Sequence, residues 1–184
     1  MRGNLRRPNY IQFCMDTRAL LEFRQEKDEF FAGSHESPLS HADQPNFAGL
    51  AYFEPNPELV FRLEVEPSDG AEIRVETSDG QERLYTRKGT VSFEIDGNDV
   101  RLALYSTGHP GFFLPFRDST SGKETYGAGR YLDIDPHDDG TITLDFNMAY
   151  NPYCVYSDAY SCPLPPVENW LQVPVKAGEL NHTR

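Results

Sequence analysis

Residues 89–106 read Gly-Thr-Val-Ser-Phe-Glu-Ile-Asp-Gly-Asn-Asp-Val-Arg-Leu-Ala-Leu-Tyr-Ser. Val91, Phe93 and Ile95 alternate with polar neighbours, Asp96-Gly97-Asn98 intervenes, and Val100, Leu102 and Leu104 resume the alternation. A period of two places the apolar side chains of each run on one face, and Asp-Gly supplies the positive-φ positions of a tight hairpin. The stretch is therefore a pair of half-buried strands, antiparallel because the turn is short.

The same pattern spreads outward. Leu59, Phe61, Leu63 and Val65 alternate in the same way, and Ser68-Asp69-Gly70 and Ser78-Asp79-Gly80 are further turn signals. The spacing predicts strands at 49–54, 59–66, 71–77, 82–88, 90–96, 99–107, 112–117, 129–134 and 140–146. A meander this long has to curl to hide its apolar face and limit its edges, and sequence leaves sandwich and barrel both open.

Upstream, Leu20, Phe23, Lys27 and Phe30/Phe31 recur at helical spacing, with Asp16 or Thr17 placed as N-cap and Gly33 as stop, which predicts one helix over 16–32. Arg18, Glu22, Gln25, Glu26 and Glu29 form its solvated face. In the following loop His35 and His41 lack the further donors that a metal site requires. Past Asp145 the prolines 152, 163, 165, 166 and 174 remove ladder donors, so 147–180 is expected as an ordered irregular segment. Its aromatics, Tyr150, Tyr153, Tyr156, Tyr160 and Trp170, pack it on the sheet. The expected class is mainly β: an antiparallel β-sandwich or barrel-like meander with one N-terminal α-helix and an irregular Pro-rich C-terminal segment. The β core spans 49–146 within a single domain of 184 residues.

Composition narrows the function classes. A net charge of −12 and a pI near 4.8 argue against nucleic acid and anionic membranes, both of which call for a basic face. The basic start, Met1 to Arg7, is followed by no apolar run that would make a signal peptide, so a cytoplasmic protein is expected. Only Lys27, Lys88, Lys123 and Lys176 are lysines among 17 basic residues, against 29 carboxylates. That balance suits a halophilic, archaeal-type protein in concentrated salt, the alternative being an acidic protein of ordinary cytoplasm. Cys14, Cys154 and Cys162 are too few for a disulfide scaffold and are read as reduced thiols.

Specific chemistry concentrates in two stretches. Residues 117–130 read Arg-Asp-Ser-Thr-Ser-Gly-Lys-Glu-Thr-Tyr-Gly-Ala-Gly-Arg, and 145–169 contain Asp-Phe-Asn-Met-Ala-Tyr-Asn-Pro-Tyr-Cys-Val-Tyr and Cys-Pro-Leu-Pro-Pro-Val-Glu-Asn. In this order the motifs resemble the family called domain of unknown function 1684, uncharacterised proteins of archaea and bacteria. The similarity runs from the helix to Ala177-Gly178-Glu179. The resemblance directs attention to these positions and implies no activity.

Read physically, Arg117, Asp118, Thr120, Thr125, Tyr126 and Arg130 set donors and acceptors on either side of one turn, including two guanidinium forks suited to an anion. Asp145, Asn147, Tyr150 and Asn151 stand where a strand gives way to the Pro-rich segment. Together these are the candidate ligand-binding residues, and no catalytic residue is singled out. The competing reading pairs Arg117 or Arg130 with Asp118 or Asp145 inside the protein and gives the asparagines to turns. Gly127-Ala-Gly129 is not a dinucleotide fingerprint, and Ser-Thr-Ser-Gly-Lys lacks both the early glycine and the final hydroxyl of a P-loop. Cys154 and Cys162 are eight apart, a poor zinc spacing that would need His109, His137 or Asp145 to complete it, so no metal and no cofactor are expected.

Three functions remain. The first is a β domain binding a small anionic or polar molecule in a pocket of Tyr126, Arg117, Arg130, Tyr150 and Asn151. The second is a hydrolase-like enzyme using Asp118 or Asp145 as base or Cys154 as nucleophile, with arginine stabilising charge. The third is a non-catalytic structural or interaction protein whose motifs lock the C-terminal segment on the sheet.

Overall fold

The structure, a computed structural model, describes residues 11–12, 15–106, 108 and 110–182. Met1 to Arg7, Cys14 and His109 lie outside them. Elements follow in chain order as β1 (Ile11–Gln12), α1 (Thr17–Gly33), β2 (Val60–Glu64), β3 (Glu66–Pro67), β4 (Glu72–Glu76), β5 (Glu82–Ile95), β6 (Asn98–Ser106), β7 (Phe112–Phe116), β8 (Arg130–Ile134) and β9 (Thr141–Asp145). β1, β2 and β9 form a three-stranded sheet, and β3, β5, β6, β7 and β8 a second one with β4 paired to β5. Every strand pairing is antiparallel.

The alternation seen in sequence explains the packing. Phe61, Leu63, Ile142 and Leu144 of the small sheet face Val91, Phe93, Leu102, Leu104, Leu114 and Leu132 of the large one in a single buried cluster. Phe61 and Phe93 meet across the gap at 4.7 Å between ring centroids, and Phe146 closes the cluster at 5.2 Å from Phe116. The apolar faces are thus covered sheet against sheet, and neither sheet closes into a barrel.

The expected hairpins form. Asp96 (φ 50°) and Gly97 (φ 76°) turn β5 into β6, and Gly80 (φ 78°) turns β4 into β5. Three stretches differ from expectation, the first being 59–66, which divides into β2 and β3 in different sheets. The strands expected at 82–88 and 90–96 are one, β5, whose register shifts between Arg87 and Gly89. A Cβ on Gly89 would meet Val65 Cγ1 at 2.4 Å and Glu66 O at 2.8 Å, so the shift occurs where only glycine allows β3 to cross so closely. No strand forms at 49–54, where Tyr52 makes an isolated bridge to Glu179 and the chain runs into Pro55 and Pro57.

Asp16 caps α1 by accepting from Arg18 N at 3.0 Å and Ala19 N at 3.1 Å. The helix buries Leu20, Arg24 and Phe31, whereas Phe23 stays 39% exposed, so its inner face is turned from the expected one. Arg24 is tolerated inside because its guanidinium donates to Phe53 O at 3.1 Å and lies 4.2 Å above the Tyr52 ring. Among the described residues no helix is long and apolar enough to cross a membrane.

The outer face of the large sheet carries a second cluster, Val75, Tyr85, Tyr105, Phe113 and Tyr131, and the segment after β9 covers it with Tyr150, Cys154 and Cys162. That segment contains only one-turn 3-10 helices at Phe146–Met148, Tyr153–Val155 and Val167–Asn169.

Candidate functional site

The two motif stretches do meet, and what they surround is a peptide. Arg130, at the start of β8, is wholly buried. It donates to the carbonyls of Ala177, Val175 (2.8 Å) and Glu179 (3.2 Å) and to Asp118 Oδ2 (2.9 Å). Asp118 Oδ1 accepts from Thr120 N at 2.7 Å and Val175 N at 3.3 Å, and Thr120 and Thr125 share a buried hydroxyl contact at 2.8 Å. Burial pushes the Arg130 guanidinium below its usual range while Asp118 pulls the other way.

From the other side, Asn151 N donates to Glu179 Oε2 at 2.7 Å and Asn151 Nδ2 to Leu180 O at 2.8 Å. Residues Val175 to Leu180 therefore fill the space in which a ligand was expected, and they take up the terminal nitrogens of Arg130, the Asp118 carboxylate and the Asn151 amide N–H groups, while Arg130 Nε and Asn151 Oδ1 stay buried without a partner among the described residues. The remaining candidates are also engaged. Arg117 is half-buried, its guanidinium stacked 4.6 Å above the Trp170 ring. Asp145 Oδ1 accepts from Asn147 N and Nδ2, both at 2.8 Å, as the cap of the turn after β9, and burial raises its pKa. Asn147 exchanges two hydrogen bonds with the Asn56 backbone, at 2.7 and 2.8 Å. Tyr126 packs with Tyr153 against the Phe31 cluster.

Two residues outside the expected set organise this region. Glu179 is 1% exposed and receives Lys27 Nζ at 2.5 Å and Tyr156 Oη at 3.0 Å, so a helix lysine is drawn inward by a carboxylate of the C-terminal segment. Asn169 accepts from Ala103 N at 2.8 Å and donates to Ala103 O at 2.9 Å and Pro115 O at 2.8 Å. It ties β6 to β7 where Tyr105–Phe113 is their one register pair and Pro115 has no N–H to offer. The third motif contained Asn169, but its partners are set by tertiary packing.

Of the expected residues, Asn151 borders a small cavity behind Glu179, and Tyr150 faces the larger open space. It lines a groove of about 930 Å³ between α1, the outer face of the large sheet and the Pro-rich segment. Tyr85, Phe113, Tyr131 and Tyr150 form its floor as a chain of rings with centroids 5.8, 4.9 and 5.8 Å apart. Phe23 and Phe30 of α1 and Tyr153 and Tyr160 make the walls. Polar groups are few: Lys27, Glu26, Arg83, and Asp133, which accepts from Tyr150 Oη at 2.6 Å. Burial, then the Asp133 carboxylate, raises the Tyr150 pKa, so the phenol stays a donor. The sequence signal for this floor, tyrosines on the outer face of strands that also fill the inner core, was present at Tyr85 and Tyr131.

A smaller cavity of about 570 Å³ lies behind Glu179, bordered by Phe47, Leu50, Tyr156 and His182. The His35 and His41 rings pack edge to face at 5.5 Å. Among the described residues no three His, Cys, Asp or Glu side chains gather as metal ligands would.

Comparison with known proteins agrees with the motifs. Residues 45–180 match the family described as protein of unknown function (DUF1684). An uncharacterized protein from gene locus rrnAC0354 of Haloarcula marismortui, solved in solution by NMR, is 40% identical and superposes with a TM-score of 0.68, covering 89% of this chain and 93% of that one. No curated protein matches.

Proposed function

Since the chain belongs to the DUF1684 family, whose description carries no activity, we propose a function from its own geometry: it binds a small, flat, amphipathic molecule in the aromatic groove. The observation that carries this is the unbroken run of rings along the groove floor, with Lys27 and the Tyr150–Asp133 pair as polar groups among them. A site of this volume with rings and few polar groups is what a small-molecule pocket requires. Three of the large apolar side chains left exposed, Phe23, Leu84 and Tyr160, border the same groove. Arg83, exposed at the groove, suits a ligand with a carboxylate at one end.

The motif residues serve a different purpose in this reading. Arg130, Asp118, Asn147, Asn151 and Asn169 hold the C-terminal segment, and that segment supplies the groove wall. The molecule acts as one domain, in a cytoplasm of high salt, and its partner is a small molecule because the −12 charge repels phosphate backbones and anionic bilayers.

The test is a thermal-shift series with naphthalene- and indole-carboxylates on the intact protein. At a hundredfold excess over the dissociation constant a bound ligand adds about 2.7 kcal/mol, readable as a higher Tm. Phe23→Ala and Tyr160→Ala remove partly exposed rings, at 39% and 37% exposure, and are expected to abolish the shift while leaving the unliganded Tm near its starting value. A ligand whose shift survives both substitutions sits elsewhere and sinks the proposal.

A further inference from the structure

Cys154 and Cys162 stand eight positions apart, and the fold brings them together. Cys154 N donates to Cys162 Sγ at 3.3 Å, and both residues belong to the outer aromatic cluster with Tyr85 and Tyr131. A sulfur that near Cys154 N lies within about 5 Å of Cys154 Cα, a span a disulfide bridges with little backbone movement. Cys162 is held from behind, its N–H donating to Ser78 Oγ at 3.0 Å and its carbonyl accepting from Ser78 N at 2.8 Å.

The two thiols are placed unequally. Cys162 is buried and Cys154 half-buried. Hydrogen bonds from the Cys162 thiol, then from Ser78 and Tyr126, hold Cys154 down to about 6, whereas the same contact and burial push Cys162 up. One sulfur is thus partly accessible, with its thiolate form favoured by the neighbouring donors, and the other is a sheltered thiol beside it.

We propose that Cys154 and Cys162 are a peroxide-responsive pair in which Cys154 is oxidised first and Cys162 resolves it to an internal disulfide. In the first step the Cys154 thiolate attacks one oxygen of a hydroperoxide. An S–O bond forms, the O–O bond breaks, and the leaving hydroxide or alkoxide takes up a proton. In the second step Cys162 sulfur attacks the Cys154 sulfenic acid. The S–S bond forms, the S–O bond breaks, and hydroxide leaves as water with the proton from Cys162. The peroxide is reduced by two electrons, the two thiols supply them, and a dithiol reverses the change. Cys162 lies in the groove wall, but the pair responds whether or not the groove holds a ligand.

The experiment treats intact Cys14→Ser protein with one equivalent of hydrogen peroxide, then maps its peptides without reduction. Expected are a mass lower by two hydrogens, a 154–162 cross-link that a dithiol removes, and in a Cys162→Ser variant a sulfenic acid at Cys154 that dimedone traps. Iodoacetamide is expected to label Cys154 about tenfold faster than Cys162 at pH 7. If Cys14→Ser does not fold, mapping of the unsubstituted protein distinguishes the three pairings instead. Intermolecular dimers or over-oxidised Cys154 without the internal cross-link, in protein whose circular dichroism is unchanged, overturn the proposal, as does faster labelling of Cys162.

Discussion

A guanidinium with no exposure needs its charge and most of its donors met, and the two terminal nitrogens of Arg130 meet three carbonyls and one carboxylate, its Nε alone having no partner among the described residues. Replacing it with Met fills the volume but leaves Asp118 as a buried charge without its cation, so Arg130→Met is expected to lose about 3–5 kcal/mol by urea denaturation. Arg130→Lys is expected to recover little, because one ammonium cannot span Asp118 and three carbonyls of Val175 to Glu179. A loss below about 1 kcal/mol in either variant would mean that the strap is held by other contacts. Asp145 makes the opposite kind of prediction. Burial raises its folded pKa above the ordinary carboxylate range, so its contribution to stability is complete below the unfolded pKa and lost as pH rises through the folded one. Asp145→Asn keeps an oxygen for the cap and carries no charge. Its stability relative to the parent should therefore grow from about pH 3 to pH 7, and a difference that shrinks over that interval would contradict the sign. At this scale the sequence disclosed which residues were unusual but not what they bond. Arg130 and Asn151 were singled out as polar groups needing partners, yet most of those partners, 29 to 49 positions away, are backbone carbonyls between Val175 and Leu180, which any residue could have offered.

Elements divide by whether local chemistry suffices to specify them. The hairpins from β4 to β6 and the helix were legible because turn residues, capping and periodicity act within a few positions. The strap from Val175 to Leu180 was not, since it has no periodicity of its own and is shaped by what it docks on. Its one local signature is Gly178, at φ 76° with Ala149 O only 2.5 Å from where a Cβ would lie. Gly178→Ala combines a left-handed backbone with a collision against main-chain atoms. It is expected to cost at least about 2 kcal/mol and, by loosening Glu179, to raise amide exchange at Asn151 and Glu179 ahead of the β core. Exchange that rises uniformly over the chain would show that strap and sheets unfold as one unit. The same argument explains the face of α1: the expected stripe ran through Leu20, Phe23 and Lys27, and Lys27 does reach inward to Glu179, but Arg24 rather than Phe23 takes the buried place beside it by meeting carbonyls, leaving Phe23 at the groove rim.

For the molecule as a whole the governing quantity is the net charge of −12. Among the described residues the ion pairs Arg18–Glu22, Arg74–Glu82, Arg101–Glu66 and Lys176–Glu124 have both partners well exposed, and exposed pairs contribute about 0–1 kcal/mol each. Salt weakens these small attractions and the self-repulsion of the uncompensated carboxylates alike. At about 1 M the screening length falls to about 3 Å, shorter than most distances between unpaired surface charges but comparable to the pairs themselves. Repulsion is therefore screened more completely than attraction. The buried Arg130–Asp118 contact, with both side chains almost free of solvent, is scarcely touched. Tm is accordingly expected to rise as KCl goes from low concentration to molar. Sorbitol at equal osmolality, which excludes volume without screening charge, should reproduce only part of the rise. A Tm that is flat or falls in KCl would place the carboxylates in local pairings strong enough to outweigh their mutual repulsion, and would remove the case for adaptation to concentrated salt.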